Sequence, residues 1–139
     1  MNVQPYLSFE GRAQEALDFY KGALGATIEV IMLFKDAPPE VQPHIQESSK
    51  NKVMHSSFRV GDTQIMASDG HCTGSSSFSG VSLTLNTATA AEAEKMFAAL
   101  GQGGKVTMPM SETFFAHKPV RRSASSLNRW MLNHGNLIH

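Results

Sequence analysis

The sequence predicts an α+β fold made of two βαβββ modules, residues 1–70 and 81–139, joined by a hinge at 71–80 within one domain spanning 1–139. Three observations predict it. A helical motif occurs twice, first as Glu15-Ala16-Leu17-Asp18-Phe19-Tyr20 with Leu24-Gly25, then as Glu92-Ala93-Glu94-Lys95-Met96-Phe97 with Leu100-Gly101. Each copy is preceded by one β-rich run and followed by further extended runs, as a repeated supersecondary unit requires. A Gly/Ser-rich stretch, Thr73-Gly74-Ser75-Ser76-Ser77, lies between the copies and reads as a flexible joint. Strand–helix pairs of this length also suit a ferredoxin-like domain, and the shared spacing of the two helices selects the two-module version.

The elements follow in order. Val3 to Phe9 reads as a strand with Val3, Leu7 and Phe9 on one face and Tyr6 and Ser8 on the other. Gly11 breaks it. Arg12 to Leu24 is an amphipathic helix whose apolar stripe is Ala13, Ala16, Leu17, Phe19-Tyr20 and Leu24, ended by Gly25. Thr27 to Phe34 is rich in β-branched residues and reads as a strand. Lys35 to Asn51 carries Pro38, Pro39 and Pro43 and is a long loop with room for one helical turn. Lys52 to Gly70 is a hairpin turning at Gly61-Asp62. Val81 to Thr87 is the next strand. Thr89 caps a helix over Ala90 to Leu100, with Glu92 completing a capping box. Gly101, Gly103 and Gly104 stop that helix. Lys105 to Met110 is a strand, Ser111 to Arg122 is extended, and Arg129 to His134 is the last strand.

Bulk properties exclude several classes. The 139 residues suit one domain. A hydrophobic content of 41% with 17% charged residues describes a globule with a core. Twelve basic and twelve acidic residues cancel, so no global field draws nucleic acid. No apolar run is long enough for a membrane helix, and Met1 to Phe9 lacks the regions of a signal peptide. The single Cys72 excludes an internal disulfide, which fits a reducing cytoplasm. Eight methionines serve as adaptable core filler or as a soft lining for a pocket of varied ligands.

The hairpin holds the first chemical signal. Alternation along its first strand puts Met54, Phe58 and Val60 on one face and His55, Ser57 and Arg59 on the other. A core face is thus opposed by a face carrying an imidazole and a hydroxyl. His55 is either a pocket residue or a hydrogen-bonded structural histidine.

The stretches Pro5-Tyr6-Leu7-Ser8-Phe9, Glu15 to Tyr20 with Leu24-Gly25-Ala26, Val53-Met54-His55, Ile65-Met66-Ala67-Ser68-Asp69, Gly104-Lys105-Val106 with Met108-Pro109, Glu112-Thr113-Phe114-Phe115 and Trp130-Met131-Leu132-Asn133 cover most of the chain in order. On them the sequence resembles the PhnB-like group, often labelled as related to 3-demethylubiquinone methyltransferase. That group lies within the vicinal oxygen chelate superfamily, with glyoxalase I, bleomycin-resistance proteins and extradiol dioxygenases. The resemblance implies that the paired modules curl into a cup-shaped mixed sheet, the glyoxalase-like fold, often as a homodimer. It implies little about chemistry, since the group has no settled activity. The run Lys118 to Arg129 departs from the group: an aromatic-Gly pair, an Asp and a second Phe-Gly are expected there, and the residues are basic and Ser-rich. A compensated reading-frame shift, in the gene or in its recorded sequence, would explain this; re-sequencing the DNA over these codons tests it, and an intact mass agreeing with these residues would remove the recorded-sequence version.

Superfamily enzymes hold a divalent metal on His and Glu side chains, leaving open positions for vicinal substrate oxygens. The strands that would supply those ligands offer Tyr6, Ser8, Ser82, Thr84, Ser68, Asp69 and Asn133 instead. A metal, if one binds, would take His55 and Glu112. Glu112 also qualifies as a base beside His55, or as a carboxylate tied to backbone or to Arg59. Asp69, next to Gly70, is a turn-former or a pocket group. Tyr6, Phe114 and Trp130 suit a ring-lined pocket wall, and core packing explains Tyr6 and Trp130 as well. Cys72 has no activating neighbour except His71, and His134 and His139 face solvent. No glycine-rich loop follows a strand and opens a helix, so no nucleotide cofactor is expected and the methyltransferase label gains no support from the residues. The expectation is a cytoplasmic protein that binds a small molecule and is either an enzyme or an enzyme relative. The alternatives are a sequestering, resistance-type binder and a metal-dependent isomerase, lyase or dioxygenase.

Overall fold

The computed structural model describes residues 1–78, 83–102 and 126–130, and the chain divides into two compact units, Met1–Ser76 and Ser77–His139. In the first unit β1 (Tyr6–Ser8), α1 (Ala13–Leu24), β2 (Thr27–Leu33), β3 (Val53–Val60) and β4 (Thr63–Ser68) follow one another. They build a four-stranded mixed sheet of order β1-β4-β3-β2, with β1 parallel to β4 and the other pairs antiparallel. The arrangement is mixed α+β, as the hydrophobic periodicities imply.

The helix forms where apolar residues recur at helical spacing, and its buried stripe is Ala13, Ala16, Leu17, Tyr20 and Leu24. Phe19, expected in that stripe, lies half-buried at its margin. Tyr20 stacks on Phe58 of β3, with ring centroids 5.6 Å apart and planes 13° from parallel, and Phe9 and Phe19 tilt against it. Burial pushes the Tyr20 phenol far above its ordinary range. Leu7, Phe58, Ile65 and Ala67 complete this core. Ser56, fully buried among them, donates to the Ala67 carbonyl at 2.8 Å, which removes the cost of an unmet hydroxyl. Gly25 ends the helix in the left-handed region at φ +63°, where its N–H and that of Ala26 reach the Tyr20 carbonyl.

Two expectations need correction in this unit. The first strand is only three residues long; Pro5 has no N–H to give a ladder, and Val3, expected to face inward, is 91% exposed. The long loop contains three single turns of 3₁₀ helix, at Phe34–Asp36, Gln42–His44 and Glu47–Ser49. One side chain organises its first half: the Gln42 amide donates to the carbonyls of Phe34, Lys35 and Ala37. Beyond these two points, the first residues of the Gly/Ser-rich stretch bond to Glu10: the Thr73 N–H and hydroxyl donate to its Oε2 and the Gly74 N–H donates to its carbonyl.

In the second unit β5 (Leu83–Thr87) and β6 (Ser126–Trp130) pair antiparallel, from Leu83↔Trp130 to Thr87↔Ser126, and α2 (Ala90–Gly101) follows β5. Thr89 caps α2 by accepting from the Glu92 N–H at 3.2 Å, and Glu92 reaches back to the Ala88 N–H, one residue outside the cap. The last strand starts at Ser126 rather than Arg129; pairing with β5 recruits a Ser-rich segment that local β-propensity does not mark. The strands expected within 105–122, and residues 131–134 of the last strand, lie outside the described residues.

Candidate functional site

The face of the first sheet opposite α1 is set by strand register. Paired residues point to the same side, so one row across the sheet reads Tyr6, Met66, Ser57, Val30 and the next reads Ser8, Ser68, His55, Met32. His55 and Ser68 each lie one step beyond the last β3–β4 pair, Ser56↔Ala67, and so share the face opposite to that pair's. Tyr6 lies two strands from β3, yet its hydroxyl and His55 Nδ1 are 3.1 Å apart, with ring centroids at 5.8 Å. Tyr6 is 51% exposed and His55 half-buried, so the pair sits at an accessible surface.

A polar belt borders these rows. Gln4 donates to Gln64 at 2.6 Å, Gln64 donates to Glu29 at 2.6 Å, and Arg59 Nε donates to the other Glu29 oxygen at 3.0 Å. Gln64 first, then Arg59, holds the Glu29 carboxyl below the usual range, and the Ser57 hydroxyl adds to this. At the opposite border Ser8 donates to Glu10 Oε1 at 2.6 Å. That hydroxyl, followed by the Thr73 N–H, holds the Glu10 carboxyl low. Glu10 adopts φ +52°, an uncommon conformation for a residue with a side chain, and Gly70 at φ +54° packs against Ser8 and Glu10 where a Cβ would overlap both.

Asp69 is 1% exposed. Its Oδ1 accepts from the N–H groups of Gly11 and Ala13, at 2.9 and 2.7 Å, and its Oδ2 accepts from the Val53 N–H at 2.7 Å. Ala13 is the first residue of α1, and Arg12 at the cap position makes no side-chain cap of its own. Asp69 therefore caps α1 from a distant strand end, where its charge also meets the positive end of the helix dipole. Both carboxylate oxygens are committed to backbone, which places Asp69 in the scaffold under the face. Of the other residues singled out in the sequence, Ser68 is on the face and its Oγ accepts from the Gly70 N–H at 3.1 Å. Glu112 and Phe114 lie outside the described residues, and Trp130 ends β6 in the second unit. Sequence reasoning missed Glu10 and Glu29; a carboxylate on an edge strand or at a strand end carries no local signal of the partners it meets across the sheet.

The donor set decides what the face can hold. Among the described residues no three His, Cys, Asp or Glu side chains gather as a metal site. His55 is surrounded by a phenol, serines and methionines, and the Glu10, Glu29 and Asp69 carboxylates are engaged elsewhere. The described residues therefore do not fit a His/Glu metal centre.

The model of the 3-demethylubiquinone-9 3-methyltransferase family matches residues 1–116. The chain belongs to that family. Protein YjdN of Escherichia coli (strain K12) is 30% identical over 139 residues, covering 96% of this chain and 95% of its own. The crystal structure of protein PA1353 from Pseudomonas aeruginosa matches with a TM-score of 0.71 at 35% identity, covering 96% of each chain. The PhnB protein from Bacillus cereus matches with a TM-score of 0.63 at 24% identity, over 83% of this chain and 84% of that one, a likeness of fold. The 3-demethylubiquinone-9 3-methyltransferase family match ends just before Lys118, where the basic, Ser-rich run begins.

Proposed function

We propose that the chain binds a small molecule on the Tyr6–His55 face of its first sheet, as a glyoxalase-like member of the vicinal oxygen chelate superfamily. The observation that carries this reading is the 3.1 Å contact between the Tyr6 hydroxyl and His55 Nδ1 on an accessible, mixed polar and apolar face. Here one nitrogen is held by a phenol, and Met66, Met32 and Val30 offer apolar contact beside it. An imidazole hydrogen-bonded to a phenol also has the parts for proton transfer, so the same face serves binding and acid–base chemistry.

The test is a ¹H–¹⁵N NMR titration of the purified protein against a library of small ring compounds. Binders should shift the resonances of Tyr6, His55, Ser57 and Met66 together, and His55→Ala should remove their binding. Shifts confined to other surfaces would refute the site. Recovery of a bound compound unchanged after long incubation marks a sequestering protein, and its conversion marks an enzyme.

A further inference from the structure

The hydrogen-bond protons on this face are mostly spent. Ser8 gives its proton to Glu10, and Ser57 lies against Glu29. The Gln64 and Gln4 amides donate along the belt, and Arg59 donates to Glu29 and to the Asp62 carbonyl. Two groups stand apart among the described residues. Ser68 Oγ accepts from Gly70 N–H, which leaves its own proton uncommitted. His55 has Nδ1 against Tyr6 and Nε2 without a partner. Both stand on the same face where the β3–β4 ladder ends, one step beyond the Ser56↔Ala67 pair, with Ser68 6% exposed.

We propose that Ser68 Oγ–H and His55 Nε2–H form a two-donor seat for one uncharged carbonyl oxygen, and that Tyr6 is the positioning residue that sets the required imidazole tautomer. This rests on the reading of the face given above and narrows its ligand to a ring-bearing ketone or lactam. A phenol is a stronger acid than a neutral imidazole N–H, and an imidazole lone pair is a stronger base than a phenol oxygen. The Tyr6 hydroxyl therefore donates to Nδ1, which fixes the proton on Nε2 and turns that nitrogen into a donor. A carbonyl oxygen has two lone pairs and accepts from both groups at once. Charge selects the neutral species. Glu10 and Glu29 border the face, while Arg59 is paired with Glu29 and Lys52 caps the Gly11 carbonyl. An anionic oxygen would meet an excess of negative charge. Tyr6, Met66 and Met32 supply soft, flat contact for a ring beside the seat.

The experiment uses the wild-type protein at a pH where imidazole is neutral. The His55 ring should give a pyridine-type ¹⁵N resonance at Nδ1 and a pyrrole-type resonance at Nε2; the reverse assignment overturns the proposal. Titration then compares 1-indanone, indane (the same ring without oxygen) and benzoate. The ketone should bind at least about tenfold more tightly than either, with Ser68→Ala and Tyr6→Phe each weakening it several-fold while indane binding stays unchanged. Equal binding of indane and indanone shows that no donor reads the oxygen and sinks the proposal, leaving the small-molecule face intact. Tighter binding of benzoate overturns the charge argument in the same way. If none of the three moves the His55 resonances at millimolar concentration, while other ring compounds do, the ketone seat is refuted alone; if no ring compound does, the binding face falls with it.

Discussion

Removing the Asp69 carboxylate would leave the backbone donors of Gly11, Ala13 and Val53 facing an apolar gap. Each orphaned buried donor costs about 1–3 kcal/mol. Asp69→Ala should therefore destabilise the protein by about 4 kcal/mol, a large fraction of the roughly 5–15 kcal/mol a domain possesses. Asp69→Asn keeps one oxygen and turns an N–H₂ group toward at least one backbone donor, so a loss of about 2 kcal/mol is expected. Urea denaturation should rank the three proteins Asp69, Asn, Ala; an Ala variant as stable as the parent would show that water replaces the bracket. The sequence marks Asp69-Gly70 as turn chemistry. It carries no sign that the carboxylate caps a helix beginning at Ala13, because that pairing exists only after β4 is laid beside β1. His55 is the contrasting case. Its exposure on the polar face is legible from alternation alone, while its partner Tyr6 is not, since the contact spans two strands.

Elements show the same division between local and long-range information. Both helices are legible to within a residue or two, because periodicity, a C-terminal glycine and the Thr89 cap are local signals. Thr89→Ala should lower stability by about 1 kcal/mol, the usual value of such a cap, and should speed amide exchange in the first turn of α2. The last strand, by contrast, begins three residues earlier than its own composition indicates, since register with β5 sets its bounds. The segment after β4 has a pH signature. Ser8, then Thr73, lowers the Glu10 carboxyl in the folded chain. A lowered folded value means that the contribution is fully present above the ordinary carboxylate range and is lost as pH falls through the lowered value. The Thr73 and Gly74 amides should exchange faster once the pH drops below that point, and Glu10→Gln should abolish the step. An unchanged acid profile in the Gln variant would mean that another group titrates there.

At the scale of the whole chain, the first unit has the parts of an autonomous fold. Its helix covers one sheet face, and its core is closed by the Phe9, Tyr20 and Phe58 rings with Leu7, Leu17 and Ile65. Its distant ties close early in the chain: Asp69 joins Gly11, Ala13 and Val53, Lys52 donates to the Gly11 carbonyl, and Glu10 holds Thr73 and Gly74. All of these fall within Met1–Ser76. Chains of this length bury a little over half of their unfolded surface and are stable by only a few kcal/mol. The rings and the Asp69 bracket are the reason to expect a positive balance. Residues 1–76 expressed alone should give a dispersed ¹H–¹⁵N spectrum and a cooperative, low-temperature thermal transition, with a nuclear Overhauser contact between the Tyr6 and His55 rings. Asp69→Ala in that fragment should abolish the dispersion, because about 4 kcal/mol exceeds what so small a core can spare. A collapsed spectrum for the parent fragment would show that the sheet needs residues beyond Ser76, and would move the folding unit from the βαβββ module to the full chain.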